Sequence, residues 1–117
     1  MFRFDEGLKV YLHRAPVDFR MGANSLSILV EQAMGQNPMD GALYVFSNRR
    51  CDRIKILGWE RNGFWLLMKK LEADTFAWPD SPGEVATLRV EQLEWLLDGV
   101  DIAAMRPHPR RYYARVS

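Results

Sequence analysis

The sequence predicts a single α+β domain, with a small antiparallel sheet and two flanking helices. Apolar and polar residues alternate in short runs between residues 43 and 78, as they do in half-buried strands. Two of these runs are separated by Asn62-Gly63, a dipeptide typical of a two-residue hairpin turn. Apolar residues recur at helical spacing after residues 22 and 90.

Each predicted element rests on a local pattern of apolar residues, and most end at a proline or glycine. The Ala15-Pro16 pair ends the first strand, Gly35 ends the first helix, and Gly99 ends the second helix. In chain order, the predicted elements are a strand over 9–13, a helix over 22–34, strands over 43–46, 53–57 and 64–71, a short strand that 75–78 could add, and a helix over 90–98.

The hairpin turn also predicts which residues face each other. With Asn62 and Gly63 in the turn, Arg53 lies opposite Glu72 and Lys55 lies opposite Lys70. Like charges placed directly opposite each other are destabilising unless an anion sits between them. The predicted pairing therefore favours a functional basic face on this sheet.

Length and composition fit one small domain. The chain has 117 residues, of which 48% are hydrophobic and 26% are charged, enough for a modest core. We expect the domain to span 1–105 and 106–117 to form a flexible basic aromatic tail. The single cysteine excludes an intramolecular disulfide, and no apolar run approaches the roughly 18 residues of a membrane span. These observations predict a soluble cytoplasmic protein that does not bind membranes, and they leave its oligomeric state open.

The net charge of +1 hides an uneven distribution. Residues 41–72 contain seven basic and three acidic side chains, whereas residues 73–105 contain one basic and seven acidic side chains. A segment rich in arginine and lysine favours an anionic partner, of which the polyphosphate backbone of DNA is the commonest. The alternative is that the two segments neutralise each other within the fold.

Catalytic residues are hard to find in this sequence. His13 and His108 are far apart in the chain, and neither has a metal-ligand partner at suitable spacing. Cys51 lies among cations that could lower its pKa, but it has no evident base or resolving cysteine. The phosphate-loop, dinucleotide, serine-hydrolase and zinc-protease motifs are all absent from the sequence. We therefore expect no enzyme activity, no metal and no cofactor.

The C-terminal segment PRRYYAR combines basic and aromatic side chains in a stretch too polar to be core. Such tails suit nucleic acid or an acidic protein surface. Arg110 and Arg111 are accordingly candidate contacts.

Several motifs, in the same order along the chain, resemble one protein family. The sequence is similar to the small accessory proteins encoded by the second open reading frame of insertion sequence 66 transposons, the TnpB type. The motifs are VDFRMG at 17–22, LYVFSNRRCDRIKIL at 43–57, WERNGF at 59–64, KKLE at 69–72, FAWP at 76–79 and QLEWLLDGVD at 92–101. The chain departs from the family pattern at Met68, where an aromatic is usual, at Asp74, where glycine is common, and at Arg89, where Thr or Ser is expected.

The resemblance implies an accessory factor of transposition, made beside a separate large transposase that carries the catalytic acids. Together with the basic segment, it predicts a non-catalytic protein that binds DNA through a basic sheet face, assists the transposase, or does both. One alternative is a module that docks an acidic surface of the transposase without touching DNA, and another is a nuclease-like enzyme. The candidate DNA contacts in the folded part are Arg20, Arg49, Arg50, Arg53, Lys55 and Lys70. Asp18 and Arg20 could instead brace the start of the first helix.

Overall fold

The computed structural model describes residues 4–79, 83 and 85–102, which form one sheet with a helix packed on each face. The elements in chain order are β1 (Val10–His13), α1 (Ala23–Ala33), β2 (Leu43–Ser47), β3 (Arg53–Glu60), β4 (Gly63–Lys70), β5 (Val85–Leu88) and α2 (Val90–Leu97). Neither helix in this part of the chain is long and apolar enough to cross a membrane.

The sheet has five strands in the order β4-β3-β2-β1-β5. The α+β class and the two helices are confirmed in their broad form, and the strands within 43–78 pair antiparallel as expected. The sheet as a whole is mixed, however, because β1 and β5 extend it beyond these residues. β1 and β2 are parallel, because α1 returns the chain between them, and all other strand pairs are antiparallel. β5 joins the sheet beside β1, whereas residues 75–78 do not form a strand.

The core lies on both sides of the sheet. On one face, apolar side chains of β1, β2 and β3 pack against α2, with Leu93 and Leu96 fully buried. On the other face, Tyr44, Phe46 and Leu57 pack against Leu26 of α1 and its neighbours. Since the central strand β2 is buried along its whole length, the helices cover the middle of the sheet better than its β4 edge.

The β3–β4 hairpin differs from its predicted register. Glu60 pairs with Gly63, so Arg61 and Asn62 form the turn and Gly63 is already in β4. The two strands are consequently displaced relative to each other by two residues from the predicted pairing. Arg53 faces Lys70 rather than Glu72, and Lys55 faces Met68 rather than Lys70.

The backbone is unusual at two of the positions where the sequence departs from the pattern that it resembles. Asp74 has a φ of 65°, in the left-handed region that favours glycine, the residue that the resemblance leads us to expect there. At the start of α2, the Arg89 N–H donates to Gln92 Oε1 (2.9 Å). The guanidinium cannot accept a hydrogen bond in return, so only one half of a capping box can form.

Candidate nucleic-acid interface

Most of the basic residues that the sequence singled out lie together at one edge of the sheet, the edge formed by the ends of the strands rather than by an outer strand. The carboxyl ends of β1 and β2, the start of β3, the end of β4 and the start of α1 all lie at this edge. We call it the basic edge, and its members are Arg20, Arg49, Arg50, Arg53 and Lys70. No acidic residue lies in the first turn of α1, so the positive end of the helix dipole adds to the field there.

The β2–β3 turn is held by the side chain of Asn48. Its Oδ1 accepts hydrogen bonds from the N–H groups of Asp52 and Arg53 (both 3.1 Å), and its Nδ2 donates to Asp52 Oδ1 (2.5 Å). Cys51, at φ 56°, donates its N–H to the Asn48 carbonyl (3.1 Å). Asparagine is a common organiser of turns because its side chain can replace backbone partners in this way.

This turn presents Arg49 and Arg50 to solvent, and both are exposed. The hydrogen bond from Asn48 lowers the pKa of Asp52, and the nearby charges of Arg50 and Arg53 lower it further. The carboxylate therefore stays ionised and offsets part of the local positive charge, but its oxygen is already engaged with Asn48.

A second turn, over residues 17–22, lies beside the first. The Val17 N–H donates to the carbonyl of Ser47 at the end of β2 (2.9 Å). Asp18 accepts the Arg20 backbone N–H (2.9 Å) and makes a two-pronged ion pair with the Arg20 guanidinium, with an Nη2 to Oδ2 distance of 2.6 Å. The hydrogen bonds from the Arg20 side chain and backbone hold the pKa of Asp18 at about 2. Arg20 therefore sits at the basic edge and also braces the approach to α1, while its side chain stays 91% exposed.

Lys55 does not present its charge to solvent, although the sequence placed it among the DNA contacts. Its side chain is only 9% exposed, and its Nζ donates to the carbonyls of Phe19 (2.6 Å) and Met21 (2.9 Å). The same nitrogen lies 4.8 Å from the centre of the Phe19 ring. Its ammonium fastens the 17–22 turn to the sheet, so we leave Lys55 out of the proposed interface.

The sequence predicted a like-charge pair of Lys55 and Lys70, and the structure instead pairs Arg53 with Lys70. They are directly opposite each other on neighbouring strands, where cross-strand like charges are destabilising unless an anion is bound. Lys70 is exposed, and the buried Nε of Arg53 has no hydrogen-bond partner among the described residues.

An open groove of about 420 Å³ separates the two turns. Its lining residues are Pro16, Val17, Asp18, Phe19, Asn48, Arg49 and Arg50. The groove has one acidic side chain and two basic ones, so its lining carries a net positive charge beside the exposed arginines.

The remaining candidates lie elsewhere. Arg110 and Arg111 fall outside the described residues. His13 is mostly buried against Phe46, and its Nδ1 lies 2.8 Å from the Ala15 carbonyl. Within residues 4–79, 83 and 85–102, no group of three or more histidine, cysteine or acidic side chains is placed to hold a metal ion.

Sequence reasoning missed two residues that shape this edge, Asn48 and Phe19. The Ser-Asn pair after β2 was a local indication that Asn48 organises a turn. Phe19 had no such indication, because its contact with Lys55 joins residues far apart in the chain.

Comparison with known proteins gives one family and two relatives. The family model described as "IS66 Orf2 like protein" matches residues 8–107. The chain is 32% identical over 111 residues to "Uncharacterized protein y4jC" of Sinorhizobium fredii, with 95% of each chain covered. It is 31% identical over 96 residues to "Uncharacterized protein y4hO" of the same organism, with 82% of this chain and 84% of the relative covered. No solved structure matches the chain significantly.

Proposed function

The chain belongs to the IS66 Orf2-like family, and we propose that it assists transposition by binding DNA at its basic edge. Members of this family are accessory proteins associated with transposition. In this proposal it does not cut or join DNA strands, and it acts beside the transposase of the same element. The observation that carries the proposal is the pair of exposed arginines, Arg49 and Arg50, on a turn fixed by Asn48.

A fixed turn suits phosphate binding. Arginine loses side-chain freedom when it binds, and a rigid backbone adds no further ordering cost. Its planar guanidinium can donate two parallel hydrogen bonds to one phosphate. Two adjacent arginines on the turn can therefore contact neighbouring phosphates without rearrangement of the fold.

The rest of the basic edge extends this contact. Arg53 and Lys70 are a like-charge pair that a phosphate between them would relieve. Arg20 lies on the neighbouring turn, with most of its side chain accessible despite its ion pair with Asp18. Such contacts address the DNA backbone, so they favour binding with little dependence on base sequence.

The test is salt-dependent binding of the purified protein to a labelled duplex of arbitrary sequence, measured by fluorescence anisotropy. Each phosphate contact contributes roughly 0.9 to the slope of log affinity against log salt. Replacing both Arg49 and Arg50 with alanine should weaken binding and reduce the slope by about two units.

The matched control replaces Lys9 and Arg61 with alanine. Both side chains are exposed, and both lie at the opposite edge of the sheet, beside the start of β1 and in the β3–β4 turn. The control removes the same charge and should leave the slope nearly unchanged. Equal effects of the two double variants would show that only net charge matters. Loss of transposase pull-down by Arg49→Ala/Arg50→Ala, with DNA binding intact, would favour the protein-docking alternative.

A further inference from the structure

The outer edge of β4 is an unprotected apolar strand. Within residues 64–68 every side chain is apolar, and Trp65, Leu67 and Met68 are 45%, 37% and 60% exposed. β4 is the terminal strand of the sheet, and no described strand pairs with its outer side. Folded proteins usually protect such an edge with charges, proline or a bulge, and here only Lys69 and Lys70, at one end, carry charge.

The backbone of this edge has a defined polarity. The two-residue turn makes Glu60 and Gly63 the closing pair, so odd-numbered residues of β4 direct their N–H and C=O groups towards β3. The Leu71 N–H, which donates to the Asp52 carbonyl at 2.8 Å, continues this alternation. The even-numbered residues Phe64, Leu66 and Met68 therefore direct their backbone groups outwards.

We propose that a second copy of this chain pairs with β4, antiparallel and centred on Leu66, to make one continuous sheet. A two-fold axis at Leu66 places the apolar segment 64–68 of one copy opposite the same segment of the other. Phe64 then faces Met68 of the other copy, and Trp65 faces Leu67. The outward N–H and C=O groups of the even-numbered residues become hydrogen-bonded pairs.

Charge favours this occupant and this direction. Lys69 and Lys70 lie at one end of β4, so antiparallel pairing places the lysines of the two copies at opposite ends of the interface. Parallel pairing would bring all four lysines together. The segment 64–68 has no charge that would repel an identical segment, and the net charge of the whole chain is only +1.

The two-fold axis also keeps like faces together. The side of β4 with Phe64 and Leu66 belongs to the cluster under α1, and it continues into the same side of the second copy. The two helices of each copy leave the apolar side chains of β4 partly exposed, and in this arrangement β4 of the other copy buries them. The basic edges would lie at opposite ends of the joined sheet, so the pairing leaves Arg49 and Arg50 of both copies exposed.

The first test is the molar mass in solution, from size-exclusion chromatography with light scattering between about 1 and 100 µM protein. We expect twice the 13.6 kDa of the single chain. Met68→Glu should give the single-chain mass, because it places a charge opposite Phe64 of the other copy. Met39→Glu is the matched control, since Met39 is also exposed (51%) and lies far from β4 in the chain; it should stay dimeric.

The second test does not depend on a destabilising substitution. Directly opposite residues in a hydrogen-bonded antiparallel pair have Cα atoms about 5.5 Å apart, a separation that a disulfide can span. In a Cys51→Ser background, Leu66→Cys should therefore form a cross-linked dimer on mild oxidation. Asn62→Cys in the same background should not, because the two copies of residue 62 lie far apart in this arrangement.

A single-chain mass at every concentration would overturn the proposal. A dimer that Met68→Glu leaves intact and Leu66→Cys fails to cross-link would also overturn it, because that dimer would use another surface. If circular dichroism shows that Met68→Glu is unfolded, the cross-linking result decides.

Discussion

Lys55 shows how one buried ammonium can organise a neighbouring turn. Its strand neighbours are Ile54 and Ile56, and alternation alone predicts that a lysine between them points to solvent. Instead the segment before α1 folds over it and supplies two carbonyl acceptors and the Phe19 ring. The lysine satisfies backbone groups that would otherwise be left without a donor as the turn packs against the sheet.

Replacing Lys55 with methionine should therefore affect stability more directly than DNA affinity. The substitution keeps most of the apolar stem but removes the donor from two carbonyls. Hydrogen bonds to charged groups contribute about 1.5–3 kcal/mol, and we expect the free energy of unfolding to fall by about this amount. Urea denaturation measures the change, with Lys70→Met as the exposed control, for which less than about 0.5 kcal/mol is expected. If Lys55→Met is as stable as the parent protein but binds DNA more weakly, Lys55 contacts DNA after all.

The pair of Asp18 and Arg20 makes a pH-dependent contribution to stability. In the folded protein the pKa of Asp18 is about 2, below its ordinary value of 3.8, because Arg20 donates to the ionised carboxylate. The contribution is therefore complete above about pH 4 and is lost as the pH falls through 2. Thermal unfolding of Asp18→Asn should show a shallower loss of stability over this window than the parent protein. Both side chains are exposed, so 1 M salt should shrink the difference. If stability falls equally with pH in Asp18→Asn and in the parent protein at low salt, the Asp18–Arg20 pair does not make this contribution.

At the scale of elements, the β3–β4 turn contains a local strain. Arg61 has a φ of 58°, and the Asn62 N–H donates back to the Glu60 carbonyl (2.6 Å), which closes a three-residue turn centred on Arg61. A non-glycine side chain in such a conformation raises the energy by about 1–3 kcal/mol. The turn is formed by Arg61 and Asn62, one residue before the Asn62-Gly63 pair that predicted it. Arg61, rather than a glycine, therefore adopts the left-handed conformation.

Arg61→Gly should consequently stabilise the protein. Glycine removes the strain, and its greater freedom in the unfolded chain offsets about 0.5–1 kcal/mol of the gain. We expect a net increase of about 1 kcal/mol in the free energy of unfolding, measured by urea denaturation. Asn62→Gly is the control, since Asn62 is not at positive φ and should gain nothing. A loss of stability in Arg61→Gly would mean that the arginine side chain stabilises the turn through contacts of its own.

The elements with strong local patterns were predictable from the sequence, and their pairing was only partly so. Both helices begin within one residue of the expected position, because their apolar spacing is regular and glycines mark their ends. β5 was missed, since its four residues are few and follow a proline-rich stretch. The parallel pairing of β1 with β2 joins strands some 30 residues apart in the chain, and no local pattern encodes it.

At the scale of the whole molecule, the sequence indicated which basic residues lie together, but not which of them remain exposed. The arginines of NRRCDR do come together with Arg20 and Lys70, at an edge of the sheet rather than on its face. The face at this position is occupied by the 17–22 turn, which covers Lys55. Packing between segments distant in the chain therefore decides which of the predicted cations remain accessible.

The charge distribution along the whole chain bears on the C-terminal segment, which lies outside the described residues. Residues 106–117 contain four arginines, two tyrosines and no acidic residue, and the family match ends at residue 107. We expect deletion of 106–117 to leave the melting temperature nearly unchanged, because the segment lacks an apolar face. DNA affinity should fall, and its salt slope should decrease by up to about three units if most of the arginines contact phosphates. Replacing the four arginines with glutamine in the full-length chain separates charge from length and should reproduce the loss of affinity. A large drop in melting temperature after the deletion would instead show that the segment packs against the domain and contributes to its stability.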